Sequence, residues 1–443
     1  MSHLHGIHVP HRKNTAESFP IRMPAPKTAF YPMTQHIGAP AVPAVKVGDE
    51  VFVGTLIAEA GGFVSSPIYS GVSGKVKKID STLQSNGAYV PTVVIESDGE
   101  QTPDPAIVPP EVCDFDSFIA AVKASGIVGL GGAGFPTAVK LGVKDLSKIE
   151  YVVINGAECE PYLTGDTRTM MDHAEDMAEG VELLRKYLGA KNFIIGIEKN
   201  KPQCIKRLSE IFSGVEGVSI KALPAVYPQG GEKVLIYHTT GRVVMEGKLP
   251  IDAGVIVINV TTLATLASYI KTGMPLVEKC ITVDGSAVKE PKNVIAPIGT
   301  PVGEVFEYAG GFNGEPAKVL YGGPMMGISV PDMNSPVLKQ TNGLIALNEK
   351  DAAPARISNC IRCGRCTNTC PFGLAPASIA AALEEGDMEE LYSLRANLCM
   401  ECGCCSFVCP ANRPLVQQNK LAKAKLMPWL KERAAKKAEE AKK

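Results

Sequence analysis

Eight cysteines in two copies of one spacing fall between Cys360 and Pro410. The first copy is Cys360, Cys363, Cys366, Cys370 and Pro371. The second is Cys399, Cys402, Cys405, Cys409 and Pro410. Each reads C-x-x-C-x-x-C-x-x-x-C-P. Three cysteines spaced by two residues on a tight loop aim three thiolates at one inorganic core. The fourth, offset by three and followed by proline, leads the chain away. Structural zinc needs four ligands and has no use for two four-cysteine runs, each closed by Cys-Pro. A disulfide framework belongs to short secreted chains. This chain has 443 residues, and no signal peptide is read at its start.

The spacing resembles that of bacterial ferredoxins with two [4Fe–4S] cubanes, where the fourth cysteine of each run serves the other cluster. The resemblance implies one cluster on Cys360, Cys363, Cys366 and Cys409. The other falls on Cys399, Cys402, Cys405 and Cys370. Cys404 is an extra thiol in the second run and is not expected to be a ligand. Two neighbouring clusters make a wire for single electrons. Thirteen cysteines with this spacing also imply a reducing compartment.

Composition narrows the rest. With 45 basic and 46 acidic residues, nothing argues for nucleic-acid binding. No stretch reaches the ~18 apolar residues of a membrane span, so any membrane role is expected to be peripheral.

Along the chain, residues 1–40 are rich in Pro and His with little periodicity. They are read as an irregular arm; His3, His5, His8 and His11 give only compositional evidence for metal. Residues 41–110 carry short alternating strands broken by glycines, the pattern of a small sandwich or barrel. The run from Lys46-Val-Gly-Asp to Gly71-Val-Ser-Gly resembles a biotinyl/lipoyl-type hammerhead. The corresponding tip, Ser65-Ser66-Pro67, has no lysine, so a scaffolding role is expected. From residue 111 strands and helices alternate to residue 275, which predicts a parallel-rich α/β domain. A helix capped at Asp114 or Asp116 leads into Gly129-Leu-Gly131-Gly132-Ala-Gly134-Phe135-Pro136. These glycines permit close approach of backbone N–H groups to a phosphate, or a tight turn. Tyr151–Ile154 reads as a buried strand ending in Asn155-Gly-Ala-Glu158-Cys-Glu160-Pro161, and strand ends are where open α/β sheets bind ligands. Tyr227-Pro-Gln-Gly230-Gly231-Glu232 starts a further helix, and Asn259 ends a further strand.

Taken in order, these segments resemble the FMN- and NADH-binding subunit of respiratory complex I. With the β module in front and the cysteine region behind, residues 1–420 resemble the RnfC family, the C subunits of Rnf electron-transport complexes. The resemblance implies an FMN site of Gly129, Gly131, Gly132, Lys140, Asn155, Glu158, Tyr227, Gly230 and Asn259. It also implies NADH contacts at Phe135, Glu160 and Glu232. The sequence departs from the complex I pattern at Ala157 and Gly231, where acids are usual.

The expected fold class is therefore multidomain α/β and β. An arm (1–40) precedes a lipoyl-like β-sandwich (41–110) and an FMN/NADH α/β domain (111–275). A β-grasp module follows (276–345), read as a structural spacer and resembling the soluble-ligand-binding type. The chain ends in an all-helical two-cluster ferredoxin domain (346–420) and a charged, solvated helix (421–443). A flavin exchanges electron pairs with nicotinamide and single electrons with clusters. The resemblance implies NADH–ferredoxin electron exchange coupled to Na⁺ or H⁺ movement. It places the chain on the cytoplasmic face of the membrane, peripheral, with membrane-embedded and iron–sulfur partner subunits. The alternatives are a soluble NADH-dependent corrinoid or quinone reductase, or a non-enzymatic iron–sulfur carrier.

Overall fold

The computed structural model describes residues 4–440, so His3 lies outside the described residues. At the centre is a four-stranded parallel sheet in the order Val218–Leu223, Asn192–Glu198, Tyr151–Gly156, Val255–Asn259. Val152, Val153 and Ile154 are all buried, as an unbroken apolar run must be when helices cover both faces. The chain steps outward from Tyr151–Gly156 through two strands, then returns to add Val255–Asn259 on the other side. That reversal opens a crevice at the carboxyl ends of the two inner strands. Asn155 and Asn259, paired in register, stand on its floor. Asp114 begins the first helix with a reciprocal cap to Ser117, and left-handed Gly189 and Gly273 end two others.

The N-terminal β module has a four-stranded antiparallel sheet, Thr28–Pro32, Tyr89–Ser97, Gly74–Leu83 and Glu50–Val51. A three-stranded sheet, Val42–Pro43, Leu56–Glu59 and Ile68–Tyr69, lies with it. Tyr31, Ile57, Ile68, Val76, Val93 and Ile95 are buried in its core. The next β module is a six-stranded mixed sheet covered by the Val302–Tyr308 helix.

The arm departs most from expectation. Thr28–Pro32 is a strand of the sandwich, and Ile21–Arg22 extends the six-stranded sheet beside Lys292–Pro297. Ile7 exchanges backbone hydrogen bonds with Tyr227. Lys13, half-buried, donates to the carbonyls of Glu158 and Glu160 at 2.8 Å each and to that of Leu163. Residues 4–32 thus bind three modules together. These pairings join residues sixty or more positions apart, and a two-residue strand leaves no periodicity to read.

The C-terminal region is helical, with Pro376–Glu385 and Met388–Ser393 packed on the long Leu415–Glu440 helix. That last helix is not simply solvated. Ala422 and Leu426 are fully buried, and Lys423 donates to the Cys399 carbonyl at 2.9 Å and to Glu401 at 3.1 Å. Among the described residues, no helix is long and apolar enough to cross a membrane.

Candidate functional site

The crevice is one cavity of about 720 Å³. All twelve residues expected to contact FMN or NADH line it: Gly129, Gly131, Gly132, Phe135, Lys140, Asn155, Glu158, Glu160, Tyr227, Gly230, Glu232 and Asn259. The glycine loop closes on itself, with Gly129 N–H donating to Phe135 O at 2.8 Å and Gly134 N–H to Gly129 O at 3.0 Å. Gly132 has φ of 110°, which only glycine adopts readily. A Cβ on Gly131 would lie 2.9 Å from the Asn259 side-chain nitrogen. Among the described residues, the N–H groups of Gly131, Gly132 and Ala133 have no protein acceptor. They form the kind of cradle that accepts a phosphate or a flavin edge. The loop follows a helix and a short bridge rather than a sheet strand, unlike a dinucleotide fingerprint.

Several of the twelve already have partners. The Asn155 amide donates to Gly230 O at 3.0 Å and its oxygen accepts from Ala157 N–H. Glu158, buried, accepts from the N–H groups of Asp166 and Thr167 and from the Thr167 hydroxyl, so its carboxylate serves the helix Gly165–Asp172. Lys140 and Glu232, expected on different cofactors, pair with each other at 2.7 Å. The Tyr227 hydroxyl donates away from the crevice, to Cys402 O at 2.6 Å. Glu160 accepts from Met325 and Met326 N–H with one oxygen. Its other oxygen, buried, has no partner, and burial pushes its pKa up to about 7. Buried Glu158 belongs to a charge cluster with the buried Lys201–Glu198 pair and the half-buried Lys13. Burial raises the pKa of Glu158, with Lys13 opposing.

Other wall residues were not expected. Asp166 accepts from Asn259 and from the Thr261 hydroxyl, 2.7 Å each. Leu83–Asn86 arrive from the N-terminal module, Gln340 and Asn342 from the β-grasp module, and Met400 from the cysteine region. Neither β module is therefore only a spacer. At Ser66-Pro67 a lysine does arrive, but from the β-grasp module. Lys339 is fully buried and donates to Ser66 Oγ at 3.1 Å, Gly126 O at 2.8 Å and Pro67 O.

A second, much smaller cavity is lined by Cys370, Cys399, Cys402 and Cys405, with Cys404 and Met400. Met400 belongs to the walls of both cavities. The two cysteine loops repeat one backbone: Arg362 and Gly364 have φ of 54° and 75°, Glu401 and Gly403 of 61° and 81°. Arg362 N–H reaches Cys360 Sγ and Glu401 N–H reaches Cys399 Sγ, at 3.4 Å in both. Cys360 and Cys363 are exposed; Cys366 and Cys409 are half-buried beside Cys405. All thirteen cysteines are free of disulfides. Among the described residues no three His, Cys, Asp or Glu side chains converge as a single ion would need. Four thiolates on the corners of a cube instead stand around a core that the cluster supplies. The donor set fits: four thiols stand around one cavity.

Residues 122–268 match the Nuo51 FMN-binding domain and residues 1–100 the RnfC barrel sandwich hybrid domain. Residues 280–329 match the SLBB domain and 359–413 a 4Fe-4S dicluster domain. The chain is 44% identical, over 95% of its length and 96% of the relative's, to the C subunit of the Na⁺-translocating ferredoxin:NAD⁺ oxidoreductase complex of Acetobacterium woodii. It is 39% identical, over 85% and 83%, to the proton-translocating counterpart of Clostridium ljungdahlii.

The chain belongs to the RnfC family.

The C subunit of the ion-translocating oxidoreductase complex of Rhodobacter capsulatus is 41% identical over 95% of this chain and 82% of its own. The fold, not the function, is also like that of an NAD⁺-reducing [NiFe]-hydrogenase, at 20% identity and TM-score 0.50 over 71% of this chain and 63% of that one. In this RnfC-family chain the matched flavin region forms the floor of the first cavity, the matched dicluster region forms most of the second, and Met400 of the dicluster region reaches both. The four modules follow the order read from the sequence.

Proposed function

We propose that this chain is the NADH-facing subunit of an ion-translocating ferredoxin:NAD⁺ oxidoreductase complex. It is peripheral, on the cytoplasmic face, and serves membrane-embedded and iron–sulfur partner subunits that couple the electron flow to Na⁺ or H⁺ movement. The observation that carries this is Met400, one side chain in the walls of both cavities. When bound, FMN and two [4Fe–4S] clusters supply the chemistry: hydride exchange with NADH and transfer of single electrons.

The chain's own residues do the positioning. Gly129, Gly131 and Gly132 present backbone to the flavin and its phosphate, and Asn155, Gly230 and Asn259 hold the crevice floor. Lys140, through its pair with Glu232, and Glu158, through the helix it caps, shape the wall. Phe135, Glu160 and Glu232 are the nucleotide contacts. Cys399, Cys402, Cys405 and Cys370 hold the cluster beside the crevice. Cys360, Cys363, Cys366 and Cys409 hold the one nearer solvent. Met400 and Tyr227 keep the partition thin and dry.

The test is the visible spectrum of the anaerobically reconstituted, FMN-loaded chain. Addition of NADH should bleach the flavin band and then lower cluster absorbance. If NADH changes nothing while dithionite reduces the clusters, the chain is a one-electron carrier and the proposal fails.

A further inference from the structure

The hairpin of Gly74–Leu83 and Tyr89–Ser97 is longer than its module needs. The third strand, Thr28–Pro32, pairs along Glu96 to Thr92 and ends there. Met33 N–H still donates to Pro91 O at 2.9 Å, and beyond it the ribbon continues as two strands alone, through the pairs Thr82–Val90 and Leu83–Tyr89. At about 3.3 Å per residue these two pairs and the loop beyond them project about 7 Å or more from the core. An isolated two-stranded ribbon is marginal in water, and this one buries none of its tip: Ser85, Asn86, Gly87 and Ala88 are exposed. The projection therefore does nothing for the sandwich. It ends at the mouth of the flavin-domain crevice, whose wall includes Leu83, Gln84, Ser85 and Asn86.

The chemistry of the tip is specific. Cross-strand partners share a face of the ribbon, so Tyr89 stands on the same face as Leu83, which lines the crevice. Tyr89 is 70% exposed and Leu83 36%, an apolar and aromatic surface left open to solvent. Next to it come an amide, a hydroxyl and a second amide, with no charge. The loop is held in shape by Gln84 N–H to Ala88 O at 2.9 Å and Ala88 N–H to the Asn86 side chain at 3.0 Å. A flat base stacks on an aromatic face, and ribose hydroxyls suit neutral amides and hydroxyls.

We propose that this hairpin tip binds the adenosine half of the nicotinamide dinucleotide, with Tyr89 and Leu83 as the platform for the base and Gln84, Ser85 and Asn86 on the ribose. This rests on the nucleotide-binding reading above and adds a binding element from outside the flavin domain.

Two variants test it on the FMN- and cluster-loaded chain: Tyr89→Ala, and replacement of residues 84–88 by Asn-Gly, which keeps a two-residue hairpin turn. The probe is ADP-ribose, which carries the adenosine half without the nicotinamide, titrated by calorimetry. Both variants should weaken ADP-ribose by about tenfold or more. Both should keep their FMN, and both should be reduced by nicotinamide mononucleotide hydride as fast as the parent chain. Unchanged ADP-ribose affinity overturns the proposal, as does loss of FMN, which would make the tip a flavin cover. If the parent chain binds ADP-ribose and the variants do not, while NADH leaves the flavin oxidised, the tip assignment stands and the dehydrogenase reading fails.

Discussion

Met400 occupies the space that a side chain on Gly231 would need, its methyl group standing where the glycine's Cβ would be. The complex I pattern has an acid at this position. Here the position is bare and a thioether from the cluster region fills it, which joins the two cavities. An alanine at 231 asks only that the flexible methyl swing aside. Gly231→Glu should displace Met400 altogether. Stopped-flow spectra should then show flavin bleaching by NADH at the parent rate, with cluster bleaching several-fold slower.

Glu160 titrates within reach of neutral pH, because burial pushes its pKa up to about 7 and one oxygen has no partner. Above that pH the crevice wall carries a buried anion, and covering it with a dinucleotide that bears phosphates is unfavourable. Affinity for NAD⁺ should fall several-fold from pH 6 to pH 8. Glu160→Gln should flatten the profile, measured by titration of the flavin-loaded chain.

Lys13 crosslinks the arm to the Glu158–Leu163 loop through three carbonyls. Its removal leaves those acceptors without their cation and the Glu158 carboxylate with Lys201 alone. Lys13→Met should cost about 3 kcal/mol in chemical denaturation and weaken FMN retention, since the loop forms one wall of the crevice.

Lys339 is held by three oxygens with no carboxylate, and burial lowers its pKa from its usual 10.5 to about 7. The unfolded chain then binds the extra proton between about pH 7 and 10.5, so folding stability rises with pH across that window. His36 also faces this amine, and its own pKa is lowered, chiefly by burial and further by Lys339. Lys339→Met should flatten the rise, read as denaturation midpoints at pH 7, 8 and 9.

The paired cysteine motifs predict an asymmetric result. Cys370→Ser should remove the cluster of the second run, leaving about four irons per chain instead of about eight. Cys404→Ser should keep both clusters, because Cys404 lies in the second cavity wall as a fifth thiol and bonds to Tyr227 O and Cys402. Iron content and low-temperature electron paramagnetic resonance would check both.

What the sequence revealed was local and periodic. The cysteine spacing, the buried run at Val152–Ile154, the Asp114 cap and the glycine loop each lie within a dozen residues. Asn155 and Asn259 were legible as strand ends, although their pairing in register was not. What stayed hidden depends on residues brought together from far apart. Lys13, Asp166, Lys339 and the Leu83–Asn86 tip look like ordinary polar surface in one dimension, and Met400 looks like a filler between two cysteines. Lys140 and Glu232 were legible as crevice residues, but not as each other's partners.

The two cysteine loops share a backbone yet differ in shelter. Cys360 and Cys363 are exposed, while Cys399, Cys402 and Cys405 are buried. An oxidant or chelator arriving from solvent meets one set well before the other. Damage would therefore be ordered: the outer thiols act as a fuse, oxidised first while the interior set and its neighbouring crevice remain intact.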